Sequence, residues 1–404
     1  MSWRRNLYAV TAASFIGFTG FTLVMPFLPL YFEQLGLTDI GEIALWSGLS
    51  LGVTPAVTAF MAPLWGRLAD RYGRKIMVQR SLVSFVFVMA ALAFVSEPWH
   101  VFALRAIQGL FAGYGALTLT MAADVAPKDQ TAYAIGFVQT AQRIGPALGP
   151  VIGGVVAQAV GLRRAFFVTA SFYALAVLVV TFGYDERSVL KRAAAGKAGR
   201  LTFRSVLAFE NFVLLMAVIF GLQMVDRSFG PVLPLFVGAL GVETGQVPLL
   251  AGSLFSISAA TGAFGNHLCG GFMRRAGARR VIASACAAAA LGVIGYLVVD
   301  TAWWLGVPTA IFGVAIGAAT TAAYTAASSI IPSGARGSGF GLLTTASLVG
   351  LAVSPVISGL LAATSIRSVF LMDALILVSL ALMVSRLMIT SPLPPAQSPP
   401  TEEI

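Results

Sequence analysis

Charge is what this sequence has least of. Only 10% of its 404 residues are Asp, Glu, Lys or Arg, against roughly a quarter in an ordinary soluble domain, while 58% are hydrophobic. A water-soluble chain of this length needs a charged coat, so the shortage excludes a globular cytosolic enzyme. Cysteine is scarcer still. Cys269 and Cys286 are the only two, too few for a disulfide framework or a metal centre, and both fall in or beside apolar runs as small apolar residues. With two histidines there is no metal-spaced histidine cluster, and no nucleotide-binding glycine loop occurs, so neither metal nor cofactor is expected. Acids run short even among the charges, 16 against 26 Lys and Arg, for a net charge of +10. The basic residues are dispersed among separate loops rather than gathered on one polar domain, which points away from nucleic acid and toward anionic lipid headgroups.

Long apolar runs fill the rest. They lie near 7–32, 44–69, 76–95, 99–122, 132–160, 163–184, 209–237, 247–272, 280–299, 302–328, 336–363 and 366–388. Each exceeds a barrel strand, and unpaired backbone groups are costly in hydrocarbon, so each reads as a transmembrane α-helix. Arg4 and Arg5 ahead of the first run mimic a signal peptide, but the run is too long for one and reads as an uncleaved first helix. Placing both termini in the cytoplasm leaves only Arg163, Arg164 and Arg367 outside and Arg105, Arg143 and Arg227 within spans. The other 20 of 26 basic residues then lie inside, as short cytoplasmic loops require.

The fold class expected is therefore an all-α membrane protein of twelve transmembrane helices in two six-helix pseudo-repeats. A basic, Ala- and Gly-containing stretch at 185–205 reads as a cytoplasmic linker between bundles at 1–184 and 206–390, and the proline-rich 391–404 as a disordered cytoplasmic tail. The halves repeat. A shift of about 205 residues lays Pro26, Pro29 and Gly36 on Pro231, Pro234 and Gly241, and Gly145, Pro150 and Gly154 on Gly350, Pro355 and Gly359. Such a duplication puts the working site between the halves near the midplane.

The loop at 66–75 reads GRLADRYGRK. In it Gly66 and Gly73 allow close approach, Asp70 can face a positive helix N-terminus, and Arg71, Arg74 and Lys75 can pair with Asp124, together forming a conformational latch. An ordinary positive-inside loop is the plainer alternative. The string resembles the signature loop of the major facilitator superfamily. Leu104-Arg105-Ala106-Ile107-Gln108-Gly109 resembles that family's fourth-helix motif, and Gly145-x-x-x-Gly149-Pro150-x-x-Gly153-Gly154 its fifth-helix antiporter motif. Gly20 ahead of Pro26-Phe27-Leu28-Pro29 is similar to the first helix of twelve-helix drug/proton antiporters, and 23–36 to bacterial multidrug-resistance exporters. The resemblance implies that the fifth helix seals the cavity and favours exchange over leak. In the second half the motif is degraded, and Arg274 stands where the latch has Asp70.

The charges inside spans do not repeat, and such charges are by default functional candidates. Asp226, Arg105 and His267 are the candidates for proton coupling. Asp226 is the one acid deep enough to line a central cavity; burial there favours its neutral form and a neighbouring Arg227 or Arg143 its charged form, so a proton carrier and a structural ion pair both stay open. Asp373 also lies in a span, but the twelfth helix is peripheral in the family and Arg367 is near, so it reads as structural. Candidates for the substrate cavity are Arg143, Arg227, Gln139, Gln142, Gln223, Phe18, Phe21, Tyr114, Phe255 and Tyr324: large apolar surfaces with a few adaptable polar groups, suited to amphipathic guests.

The function expected is export of hydrophobic or amphipathic compounds from a bacterial cytoplasm in exchange for protons, by a monomer in the inner membrane that needs no cofactor and contacts lipids and small substrates. A carrier of anionic metabolites or lipids is the alternative within transport, because arginines outnumber acids in the spans. A receptor or membrane enzyme on the same scaffold is the alternative in another class, disfavoured because no soluble domain is attached.

Overall fold

The computed structural model describes residues 3–127, 130–185, 209–331 and 336–389. Most of the linker, the loop around Lys128 and the tail at 391–404 lie outside the described residues. Among the described residues every long element is helical: α1 (Trp3–Leu23), α2 (Leu28–Gln34), α3 (Ile40–Tyr72), α4 (Arg74–Leu92), α5 (Pro98–Phe111), α6 (Tyr114–Val125), α7 (Thr131–Val160), α8 (Leu162–Gly183), α9 (Phe212–Ala239), α10 (Val247–Val298), α11 (Gly306–Ile330), α12 (Arg336–Ala362) and α13 (Ile366–Leu387).

These elements make twelve membrane spans, with local differences from the apolar runs. At 52 residues, α10 would stretch about 78 Å if straight, more than twice the hydrocarbon core. It is two spans joined at Gly277, where φ of 76° reverses the chain. The first span is broken rather than continuous. The chain leaves the helix at 24–27 around Pro26, and Pro29 opens α2, because proline lacks the N–H that a continuing helix needs. The fourth span breaks between α5 and α6 at Gly113, with φ of 123°.

Proline falls inside α7 at positions 146 and 150 and inside α9 at 231 and 234. Pro146 has no N–H for the carbonyl of Gln142, nor Pro231 for that of Arg227, so each helix is weakened at the residues that line the central cavity described below.

The repeat is visible in hydrogen bonds at the span ends. Asn6 at the start of α1 exchanges two bonds with the backbone of Asp185 beyond α8, both 3.0 Å. Asn211, 205 positions later, exchanges two with Ile389 beyond α13, both 2.9 Å. The same side chain closes each set of six spans, and both clasps lie at the membrane face that carries the termini.

At the opposite face, backbones of the first six and last six spans touch. A Cβ on Gly154 of α7 would lie 2.4 Å from the Pro248 carbonyl of α10, and one on Gly252 would lie 2.2 Å from that of Pro150. Across the molecule, Gly48 of α3 meets the Pro355 carbonyl of α12, and Gly359 meets that of Ala44. Toward the termini, Gly66, Gly136, Gly271 and Gly341 on the same four helices face open space. The two sets of spans are pressed together at one face and parted at the other.

Candidate functional site

A cavity of about 500 Å³ lies in the parted region. The first span supplies Thr22 and Met25, and α7 supplies Gln142, Arg143, Pro146 and Pro150. From α9 come Gln223, Asp226, Arg227 and Phe229, from α10 Phe255, Ser258, Asn266 and Tyr296, and from α11 Thr320, Thr321, Tyr324 and Thr325. Seven of the candidates for proton coupling and the substrate cavity are thus brought together: Arg143, Gln142, Gln223, Asp226, Arg227, Phe255 and Tyr324.

Asp226 and Arg227 form an ion pair, Oδ2 to Nε 3.2 Å, with about a third of each side chain exposed. The pair is loose. Arg227 Nε makes no aligned hydrogen bond, because consecutive helix residues diverge by about 100°. Arg143 is held more firmly. With its amide turned so that both ends are satisfied, Asn266 accepts from Arg143 Nη1 at 2.6 Å while donating to the Gly317 carbonyl at 2.7 Å and the Thr321 hydroxyl at 2.8 Å. One chain of bonds therefore runs across the cavity from α7 through α10 to α11. Gln142 donates to the Gly115 carbonyl and the Thr118 hydroxyl, both at 3.0 Å, which fixes its amide against α6.

Other sequence-derived candidates sit elsewhere. Phe18 and Tyr114 pack on each other, with ring centroids 5.3 Å apart, and neither lines the cavity. Phe21 is half-buried outside it, and Gln139 is exposed. His267, next to Asn266 but turned about 100° around α10, is exposed. Arg105 is buried in the core of the first six spans; its Nη1 donates to Gln108 Oε1 at 3.0 Å, while Nε and Nη2 have no partner. These placements share a cause: a polar or aromatic residue in an apolar run can face cavity, core or lipid, and only packing decides.

In the loop after α3, Arg74 pairs with Asp124 at the end of α6, and its Nη1 also reaches the Thr120 carbonyl. Lys75 donates to the carbonyls of Thr181 and Tyr184, and the Arg71 guanidinium lies over the Tyr72 ring. Asp70 lies in the last turn of α3, with its side chain outside the described residues. In the antiporter motif, Gly145, Gly149 and Gly153 press α7 onto backbone and side-chain atoms of α1 and Leu23, while Gly154 faces α10.

Asp373 requires a correction. Arg367 does not serve it but pairs with Asp300 at 3.2 Å. Asp373 is fully buried, its Oδ2 is 2.5 Å from Ser228 Oγ of α9, and its Oδ1 has no partner.

Sequence reasoning passed over Asn266, Thr320, Thr321 and Thr325. Four of the polar residues of α11, Thr320, Thr321, Tyr324 and Thr325, recur at helical spacing within an apolar run. That stripe is the signal that marks a cavity-facing surface.

Twelve spans around a central cavity that is open at one face and sealed at the other are the architecture of a membrane transporter. The chain belongs to the Major Facilitator Superfamily, whose model matches residues 10–348 and 299–404. It is 32% identical over 329 residues to the Multidrug resistance protein MdtG of Citrobacter koseri, covering 80% of each chain. It is 28% identical over 364 residues to the Multi-drug resistance efflux pump PmrA homolog of Lactococcus lactis, covering 90% of this chain and 89% of that one. In fold it matches the nucleoside transporter NupG with a TM-score of 0.78 at 14% identity, covering 94% of this chain and 98% of that one. It also matches a bacterial homologue of the human lysosomal transporter Spinster in an inward-facing, unoccupied conformation, with a TM-score of 0.76 at 16% identity over 97% and 99% of the two chains.

Proposed function

We propose that this transporter exports hydrophobic or amphipathic compounds across a bacterial inner membrane in exchange for protons, with both termini in the cytoplasm. The observation that carries the reading is Asp226: a carboxyl on the wall of the central cavity, loosely paired with Arg227 and a third exposed to the open side. An acid so placed can exchange a proton with water from the open side and remains within reach of a guest in the same cavity. The walls suit an amphipathic guest. Met25, Phe255 and Tyr324 offer apolar faces, and Gln223, Ser258, Thr320 and Thr325 offer hydrogen bonds that do not dictate one shape.

The relatives named for multidrug resistance support the substrate class, and the excess of Lys and Arg in the loops at the termini face supports the orientation. With that orientation the conformation is open to the cytoplasm, the state in which an exporter loads. Two arginines against one acid on the walls favour a second reading, transport of anionic amphiphiles.

Everted vesicles holding a preformed pH gradient test the proposal. Adding a lipophilic cationic dye or an anionic amphiphile dissipates the gradient when that compound is exchanged for protons, and identifies the charge class. A gradient indifferent to every compound of both classes contradicts proton exchange.

A further inference from the structure

We propose that Asp373 is a second proton-binding site, occupied in this conformation through its hydrogen bond with Ser228 and emptied when α9 bends away from α13. The proposal goes beyond Asp226 as sole carrier and rests on the proton-coupled reading only for the use made of the proton.

The enclosure of Asp373 carries it, with one carboxyl oxygen lacking a partner, and the hydrogen bonds around Ser228 accommodate it. Ser228 Oγ lies 2.8 Å from the Val225 carbonyl, which can only accept, and 2.5 Å from Asp373 Oδ2. A hydroxyl has one proton. It either goes to Asp373 Oδ2, or goes to the Val225 carbonyl while the carboxyl supplies a proton of its own, as O–H to Ser228 Oγ. Burial selects the second arrangement. Asp373 has no exposed surface, and among the described residues no Lys, Arg or His nitrogen lies within 4.0 Å of it. A carboxylate so enclosed would be an uncompensated charge.

The charged and titratable groups on the packed elements are accounted for. On α9, Asp226 and Arg227 are turned to the cavity and to each other. On the second arm of α10, Cys286 and Tyr296 are buried and Arg279 reaches the Ser385 carbonyl near the termini face. Arg280 is exposed on that arm, and the side chain of Arg336, at the start of α12, is outside the described residues. On α13 itself, Arg367 pairs with Asp300 and Arg386 is in the last turn.

The site is wired to the cavity. Phe370, one turn from Asp373, stacks on Tyr296 at 5.0 Å and packs on Phe229 at 5.6 Å, and both of those rings line the cavity. Pro231 weakens α9 at Arg227, next to Ser228. A bend there withdraws Ser228, admits water, and lets the carboxyl O–H bond break, with the proton passing to that water.

Infrared spectra of the full chain in lipid, with spin-label distances between Arg67 and Phe272 positions on α3 and α10, test this without a substrate. The expected result at neutral pH is a protonated-carboxyl band present in the wild type and in Asp226→Asn, absent in Asp373→Asn, and shifted in Ser228→Ala. That last, milder change carries the reading if Asp373→Asn does not fold. Raising the pH should move the wild type away from the described conformation, with Asp373→Asn responding several-fold less and Asp373→Glu restoring part of the response. A band untouched by both Asp373→Asn and Ser228→Ala, or an unchanged pH response in Asp373→Asn, overturns the proposal. Indifference of substrate flux to a pH gradient would instead overturn proton-driven export and leave this site standing.

Discussion

At the scale of single residues, the cavity is organised by three charges with different freedom. Arg143 is tied through Asn266 to two further helices, whereas Asp226 and Arg227 hold each other loosely and keep a third of their surface exposed. Under the proposed function, Asp226 of the freer pair is the proton carrier. Asp226→Asn is therefore expected to abolish uphill transport driven by a pH gradient while downhill exchange persists, because the amide mimics the protonated acid and has no proton to release. Parallel uphill and exchange assays on one purified preparation check it; a variant that folds and still concentrates substrate rules Asp226 out.

Asp226 was legible in the sequence because an acid deep in an apolar run is conspicuous. Asn266 and the threonines of α11 were not singled out, because neutral polar residues are common in spans and only their shared face distinguishes them. The proton-bearing arrangement at Asp373 was hidden for another reason: its partner is a serine 145 positions away, and no sequence pattern announces that contact.

Among the elements, close backbone crossings seal one face. Gly252→Val would push side-chain atoms into the Pro150 carbonyl, already 2.2 Å from a Cβ placed there. Overpacking of this kind costs roughly 1–3 kcal/mol, and here it falls on one conformation. Thiol labelling of a Thr325→Cys reporter from the termini face measures the effect, with little background because Cys269 and Cys286 are buried. Labelling should slow when Gly252→Val is added and stay unchanged when Gly136→Ala is added, since Gly136 faces open space.

The turn at Gly73 makes a separate prediction. Its φ of 97° with ψ of 147° is a conformation essentially reserved for glycine, and another residue held there costs roughly 1–3 kcal/mol. If the loop is a latch, Gly73→Val, or Asp70→Asn near it, should slow flux several-fold with substrate affinity nearly intact, because a latch acts on interconversion rather than on the cavity. Affinity lost in proportion to flux would contradict a latch. The spans were legible from hydropathy, but the breaks at 24–27 and at Gly113 were not, since apolar composition runs straight through both and hydropathy gives no weight to the backbone effects of Pro26, Pro29 and Gly113.

For the whole molecule, the matching clasps of Asn6 and Asn211 and the paired crossings of α3 with α12 and α7 with α10 describe two similar units that meet at one face and part at the other. Rocking them about the cavity would open the sealed face and close the parted one, and under the proposed function a pH gradient drives this motion in one direction. The most direct measurement is dye accumulation in proteoliposomes of the purified chain, with only a pH gradient imposed and the membrane potential clamped. Uphill movement of dye opposite to the proton flow, abolished by a protonophore and by Asp226→Asn, is the predicted result. Dye that merely equilibrates, or accumulates equally after the pH gradient is collapsed, would contradict it.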